Sequence, residues 1–273
     1  MPFLTVTREN GVVVATMSEP STKNAITDNS AVDEFDALCQ EIENNPEDKV
    51  LIITGNGKVF SSGGNISTMY RCMSSTMPAF EIVEDYRNGI QRLPLLLRAL
   101  SVPTIAAVNG PAIGAGCDLT CMCDVRIAST EATFAESFIH FGIVPGDGGA
   151  WFLPRIVGTA KAAEMSFTGD GISAAEALGI GLVSKVVPPG ELMAAVKELA
   201  ARMARHGSAA LRLTKRLLRQ SEEQDLKALL DMSASYQSML HKTNEHRMAV
   251  ADYEERRANT KLNREKNGRS RCS

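Results

Sequence analysis

The stretch Val102–Asp124, VPTIAAVNGPAIGAGCDLTCMCD, decides how this chain folds. Thr104–Val108 is a short apolar run of strand length, and it empties directly into Asn109–Gly116, where glycine stands at positions 110, 114 and 116. From Cys117 the residues read as a helix that carries one acid, Asp118, in its first turn. A strand that ends in glycines and opens a helix leaves N–H groups without intrahelical partners, and the missing Cβ lets a ligand approach the backbone. The glycine spacing is not G-x-G-x-x-G and no Gly-Lys-Ser/Thr follows, so neither a dinucleotide loop nor a phosphate loop is predicted.

A second segment repeats the design. VLIIT (Val50–Thr54) leads to FSSGGN (Phe60–Asn65). Two such turns from neighbouring strands can aim backbone donors at one carbonyl oxygen and stabilise the oxyanion that develops from it. Around them, Phe3–Thr7 and Val12–Met17 alternate like a hairpin about Glu9-Asn10-Gly11, and Asn29–Glu43 has helical spacing after the cap-like Thr27-Asp28. Strand and helix then alternate through Lys185–Val187, an α/β signature. From Glu191 helical runs follow at Glu191–Arg205, Ala209–Gln220 and Gln224–Arg257, so the expected organisation is a core over 1–190 and a helical region over 191–273. The basic tail Thr260–Ser273 is expected to be frayed or pinned by a neighbour.

With 273 residues the chain can bury a sizeable core, and a net charge of −3 with 22% charged residues supplies no global field for nucleic acid or an anionic membrane. No apolar run reaches the ~18 residues of a membrane span, and Met1–Asn10 lacks a signal-peptide layout, so a cytoplasmic protein is expected. Cys117, Cys121 and Cys123 share one short helix without a matching pair at zinc spacing; no metal site is expected, and the cysteine usage fits a reducing compartment. Cys39, Cys72 and Cys272 are isolated.

FSSGGNI, VPTIAAVNGPAIGAGCDL, FGIVPGDGGAWFLPRIVG (Phe141–Gly158) and LGIGLVSKVV (Leu178–Val187) together resemble the crotonase superfamily, the enoyl-CoA hydratase/isomerase family, over roughly residues 4 to 215. The resemblance implies an α/β fold built as a spiral of ββα units with a helical C-terminal trimerisation region, an acyl-CoA thioester as substrate and a homotrimer or dimer of trimers. No cofactor is implied beyond the coenzyme A of the substrate. The family's two oxyanion-hole amides fall on Gly64 and Ala115. By the same resemblance Lys23 in STKNA lies where a basic residue approaches the CoA phosphates, and Ser62, Asn65, Ile66, Met69 and Phe138 fall on the substrate-binding surface. Asn65 replaces the aspartate usual in the family turn. Lys215 and Arg256 are further candidate cations.

Polarising a thioester carbonyl makes the α-proton acidic and the β-carbon electrophilic, so a carboxylate has to move a proton or orient water. The family's hydratases divide that work between two glutamates. Here the first position holds Asp118 and the second holds Phe138, which transfers no proton. Three acids are candidates for the work: Asp118 itself; Glu136, which in an extended segment shares a face with Phe138 about 7 Å away; and Asp147 in PGDGG, which also suits the cap of the helix that follows. Hydration of a 2-enoyl-CoA is the first reading because two acids are at hand. An enoyl-CoA or dienoyl-CoA isomerase making a 1,3-proton shift is the alternative, and a non-catalytic acyl-CoA-binding protein the third. A Ser-His-Asp peptidase drawn from Ser61, Ser62, His140 and Asp147 has only residue types in its favour. The stretch Ser67–Leu100 reads as irregular at first, with Met69, Tyr70, Cys72, Met73 and Met77, and then as one helix over Phe80–Leu100; the crotonase resemblance implies that this region borders the acyl pocket.

Overall fold

The computed structural model describes residues 2–27 and 30–269, with side chains as far as Asn259. In chain order, β1 (Leu4–Glu9), β2 (Val12–Met17), α1 (Ala31–Asn44) and β3 (Val50–Gly55) lead to three short helices, α2 (Ile66–Cys72), α3 (Ala79–Asn88) and α4 (Arg92–Ala99). Next come β4 (Thr104–Val108), β5 (Ala112–Ile113), α5 (Ala115–Met122), β6 (Val125–Ser129) and β7 (Thr133–Ala135), then a 3₁₀ turn over Ser137–Phe141. The core is completed by α6 (Gly149–Val157), α7 (Thr159–Thr168), β8 (Ile172–Ser173), α8 (Ala174–Gly179), β9 (Lys185–Val187) and α9 (Leu192–Ala204).

One sheet runs in the order β1-β2-β3-β4-β6-β9, with the β1–β2 hairpin antiparallel and every later neighbour parallel; a smaller sheet runs β5-β7-β8. The hairpin turns through Asn10 at φ 50° and Gly11 at φ 78°, as the Asn-Gly pair predicts. Parallel strands covered on both faces must be apolar on both, and β3 shows the period of two. Leu51 and Ile53 face the core shared with α1, α4 and α5, whereas Val50 and Ile52 face Leu192, Val196 and Ala200 of α9.

That packing sets a boundary. The first compact unit runs to Ser208, beyond the 190/191 division expected from sequence, because α9 covers the second face of the sheet rather than belonging to a separate helical region. The second unit begins at Ala209 and holds α10 (Ser208–Gln220, starting one residue earlier), α11 (Leu226–Leu240) and α12 (Asn244–Arg269). The single run expected over Gln224–Arg257 is therefore two helices, interrupted at His241–Thr243, and the tail from Thr260, expected to be frayed or pinned by a neighbour, has a helical backbone through Arg269.

Three other expectations change. The stretch after Ser67 is not irregular at its start: α2 begins at Ile66 because Asn65 caps it, its side chain accepting from the Ser67 amide at 3.1 Å. The helix expected over Phe80–Leu100 breaks at Gly89 into α3 and α4. The cap expected at Thr27-Asp28 and the start at Asn29 fall partly on positions 28 and 29, outside the described residues; α1 opens after Ser30. Cys272 also lies outside them.

Candidate active site

The two glycine turns are zipped together. Phe60 and Ser61 donate their amides to the Pro111 carbonyl at 3.0 and 3.2 Å, Ile113 donates to the Ser61 carbonyl at 3.0 Å, and Ser61 bridges Ala112 in parallel register. Gly63 sits at φ +82°, and a Cβ there would stand 2.3 Å from the Ile113 carbonyl and 2.9 Å from the Ala115 nitrogen. Only glycine fits such an approach. The FSSGGN turn is thereby pressed against the Ala115 amide, the first residue of α5, whose N–H has no place in the helix ladder. Among the described residues neither the Gly64 nor the Ala115 amide donates to a protein acceptor.

The loop Glu19–Thr27 clamps this arrangement from outside. Lys23 and Asn24 adopt left-handed backbone, φ 57° and 56°. Fully buried Asn24 donates its side-chain amide to the Asn56 and Val59 carbonyls at 3.0 and 2.9 Å and accepts from the Glu19 amide at 3.0 Å. Ser61 Oγ donates to the Asn24 carbonyl at 2.7 Å and accepts from the Gly63 amide at 3.0 Å. Ser62 donates its amide to the Lys23 carbonyl at 2.9 Å, and Asn65 donates its amide to Thr27 Oγ1 at 2.7 Å. Lys23, Ser62, Asn65 and Ile66 are thus brought to one edge of the turn, and the Met69 terminal methyl lies 3.9 Å from where a Gly64 Cβ would be. Lys23 and Ile66 are exposed, Ser62 and Met69 partly so. Lys215 is buried in α10, and Arg256 donates Nε to the Asp252 carbonyl on exposed α12.

Behind the amides lie three acids. Asp118, Glu136 and Asp147 are 0%, 0% and 5% exposed. Both oxygens of Asp118, both of Glu136 and Oδ1 of Asp147 lack a hydrogen-bond partner among the described residues. Asp118 occupies the first turn of α5 and points at the start of α6: a Cβ on Gly149 would stand 2.0 Å from Asp118 Oδ1. Glu136 reaches the cluster by a route other than the expected one. Strand β7 stops at Ala135, Glu136 precedes the 3₁₀ turn, and the extended segment that was to put Glu136 and Phe138 on one face does not exist. Phe138 instead lays its ring against the turn into α5, with Cζ 3.7 Å from where a Gly114 Cβ would be.

Burial sets the protonation of all three. It pushes the Asp118 carboxyl well above its usual range, and the neighbouring charges of Glu136 and Asp147 push it further. Burial raises Glu136 too, opposed by its contacts with Asp118 and the Cys117 thiol. Asp147 is pushed up to about 7 by burial and then by the charge of Glu136. Like charges brought this close raise the cost of ionising either acid, so Asp118 and Glu136 influence each other's protonation. Interacting this closely, the two titrate as a pair. Buried acids with raised pKa values beside two amides that have no protein acceptor can polarise a carbonyl and move a proton next to it.

Sequence reasoning missed Asn24, Ser61 and Thr27 as supports of the turn; the left-handed Lys23-Asn24 pair leaves only a polar loop to read. It also missed Tyr86 and Gln91, which approach the Asp147 turn. Among the described residues His140 makes no hydrogen bond to the cluster; its Nε2 lies 3.0 Å from the Thr168 carbonyl, and no Ser-His-Asp set forms among them.

A spiral α/β core that presses two free amides together in front of buried acids defines the crotonase class of acyl-thioester enzymes. The sequence profile of the enoyl-CoA hydratase/isomerase family matches residues 7–261, and the chain belongs to that family and is an enzyme of it. It is similar to the crotonyl-CoA hydratase of Syntrophomonas wolfei, 35% identical over 254 residues that cover 92% of this chain and 95% of that one. It is also similar to the 2,3-dehydroadipyl-CoA hydratase of Escherichia coli, 34% identical with 94% and 97% covered. The solved enoyl-CoA hydratase of Bacillus anthracis superposes with a TM-score of 0.87 at 28% identity, covering 93% of this chain and 97% of that one.

Proposed function

We propose that this enzyme hydrates a 2-enoyl-CoA thioester. The observation that carries the reading is the placement of two buried acids, Asp118 and Glu136, in one cluster behind the adjoining Gly64 and Ala115 amides. In this reading the amides hold the thioester oxygen and take up the charge that develops on it. Glu136, the more readily ionised of the pair, takes a proton from water as it adds to the β-carbon. Asp118 delivers its proton to the α-carbon. Phe138, packed on Gly114, forms an apolar wall where relatives have their second acid, and Asp147 completes the acid cluster. Lys23, Ser62, Asn65 and Ile66, at one edge of the turn, receive the CoA moiety, with Met69 beside the acyl group.

The chemistry is assigned to backbone amides and carboxyls, with coenzyme A as part of the substrate and no separate cofactor. The names of the hydratase relatives support water addition over the isomerase reading. The apolar residues exposed on α10 to α12 support a homotrimer or dimer of trimers, and the buried thiols of Cys117 and Cys121 support a reducing, cytoplasmic setting. Among the described residues no helix is long and apolar enough to cross a membrane.

Purified protein incubated with crotonyl-CoA and longer enoyl thioesters should bleach the conjugated absorbance and yield a product heavier by one water. An unchanged mass would replace hydration with isomerisation, and free CoA would replace it with hydrolysis. Glu136→Gln should cut turnover by ~10²–10⁴ while binding of a saturated acyl-CoA changes little, because only transition-state stabilisation is lost. Full activity in that variant would take Glu136 out of the mechanism.

A further inference from the structure

The turn that carries Asp147 is held by an element with no acid of the cluster on it. Gly89 breaks the helical run into α3 and α4 and brings two side chains to one side of the break: the Gln91 amide N–H donates to the Tyr86 carbonyl at 3.0 Å, fixing the pair. Gln91 then donates its side-chain Nε2 to the Gly146 carbonyl at 2.9 Å across 55 residues of sequence. The Tyr86 ring covers the same residue, so that a Cβ on Gly146 would stand 3.0 Å from Tyr86 Cε1. Gly146 is thus gripped on its carbonyl and on its Cα, immediately before Asp147.

We propose that Gln91 is a positioning residue of this site: its bond to the Gly146 carbonyl holds the Pro145–Gly149 turn inward and keeps the Asp147 carboxyl inside the buried acid cluster. Asp147 Oδ1 has no hydrogen-bond partner among the described residues, so that oxygen does not anchor the turn. The groups that face Asp147 are Glu136 before the 3₁₀ turn, Asp118 on α5 and Tyr86 on α3, and none brings a positive charge that would retain the carboxylate. An acid surrounded by like charge is pushed outward as it ionises, so something must restrain its backbone. The neutral amide of Gln91 does this without adding charge. The inference rests on the acid-cluster reading of the site, not on which reaction the cluster performs.

The test therefore reads Asp147 directly. An infrared pH titration of the whole enzyme should show a carboxylic-acid band that disappears near pH 7 and is missing in Asp147→Asn. In Gln91→Met, which keeps the chain length and loses the donor, the turn opens to water and that band should disappear at least about one pH unit lower, with the fold intact by melting temperature. Gly146→Ala, which drives a methyl against the Tyr86 ring, should do the same. An unchanged midpoint in Gln91→Met overturns the proposal, and a shift in Gly146→Ala alone assigns the role to Tyr86 and overturns it too. Should Gln91→Met fail to fold, Gln91→Ala replaces it, since it removes the donor without adding a charge beside Asp147. If the proposed reaction holds, Gln91→Met should also lower kcat about tenfold with little change in KM. If instead the wild type adds water to no thioester while the infrared midpoint still shifts, the hydration reading falls and the positioning role stands.

Discussion

Asp147 shows what it costs a residue to sit in this cluster. Its carboxyl is 5% exposed, receives no hydrogen bond on Oδ1 among the described residues, and ionises at about 7 rather than at the 3.8 of the unfolded chain. Because the folded state holds the proton more tightly, this group's contribution to stability is fully present below pH 3.8 and is lost as pH rises through about 7. Asp147→Asn mimics the protonated form at every pH. The variant should match wild type in thermal stability at pH 4 and exceed it at pH 8, by on the order of 4 kcal/mol at most. A stability gap that does not change between those pH values would remove Asp147 from the list of buried titrating groups. Gly149 makes the complementary case for Asp118. A methyl placed 2.0 Å from Oδ1 cannot be absorbed by the flexible end of a long side chain, since aspartate has almost none. Gly149→Ala should therefore displace the acid or the start of α6, with turnover falling at least tenfold and melting temperature falling with it.

Between elements, the decisive junction is the one where the FSSGGN turn meets the start of α5. Ala115 is the first residue of that helix, a position that accepts proline because its N–H has no helical partner. Ala115→Pro should keep the helix and delete one amide of the pair, lowering turnover by about 10²–10³. Unreduced turnover in a folded variant would show that the Ala115 N–H does not meet the substrate oxygen. This junction was legible in the sequence because its geometry admits so few residues: Gly63 must be glycine to approach the Ile113 carbonyl, and the strands that deliver it are unbroken apolar runs. The acid cluster was legible as residues and not as geometry. Glu136 was reached through an extended segment that the structure replaces with a 3₁₀ turn, a choice made by packing of Phe138 and not by any local turn signal. The Gly89 break was hidden for a similar reason, since the apolar pattern of Phe80–Leu100 runs on through it. Helix α2 was missed because the sulfur-rich run after Ser67 carries little helical signal, while its start is marked by the Asn65 cap on the Ser67 amide.

For the whole molecule the unanswered surface is that of the second unit. Helix α11 has no buried residue, and Leu226 and Leu230, four positions apart and so on one face, are 71% and 57% exposed. Leu218 on α10 and Met248 and Tyr253 on α12 are more than half exposed as well. Leaving a leucine side chain in water instead of burying it forgoes about 2 kcal/mol, so a run of such residues on successive helices calls for a covering partner. Copies of this chain are the partner we expect, in closed symmetry, as a trimer or a dimer of trimers. Light scattering should then give a particle of three or six 29.4 kDa subunits at micromolar protein. Leu226→Lys/Leu230→Lys should shift it towards single subunits, since the charges would be buried without partners in the contact. The acids of the first unit gain no charge from that change, so their infrared titration should survive it. A wild-type particle of one subunit would overturn the assembly and leave these leucines facing something other than this chain.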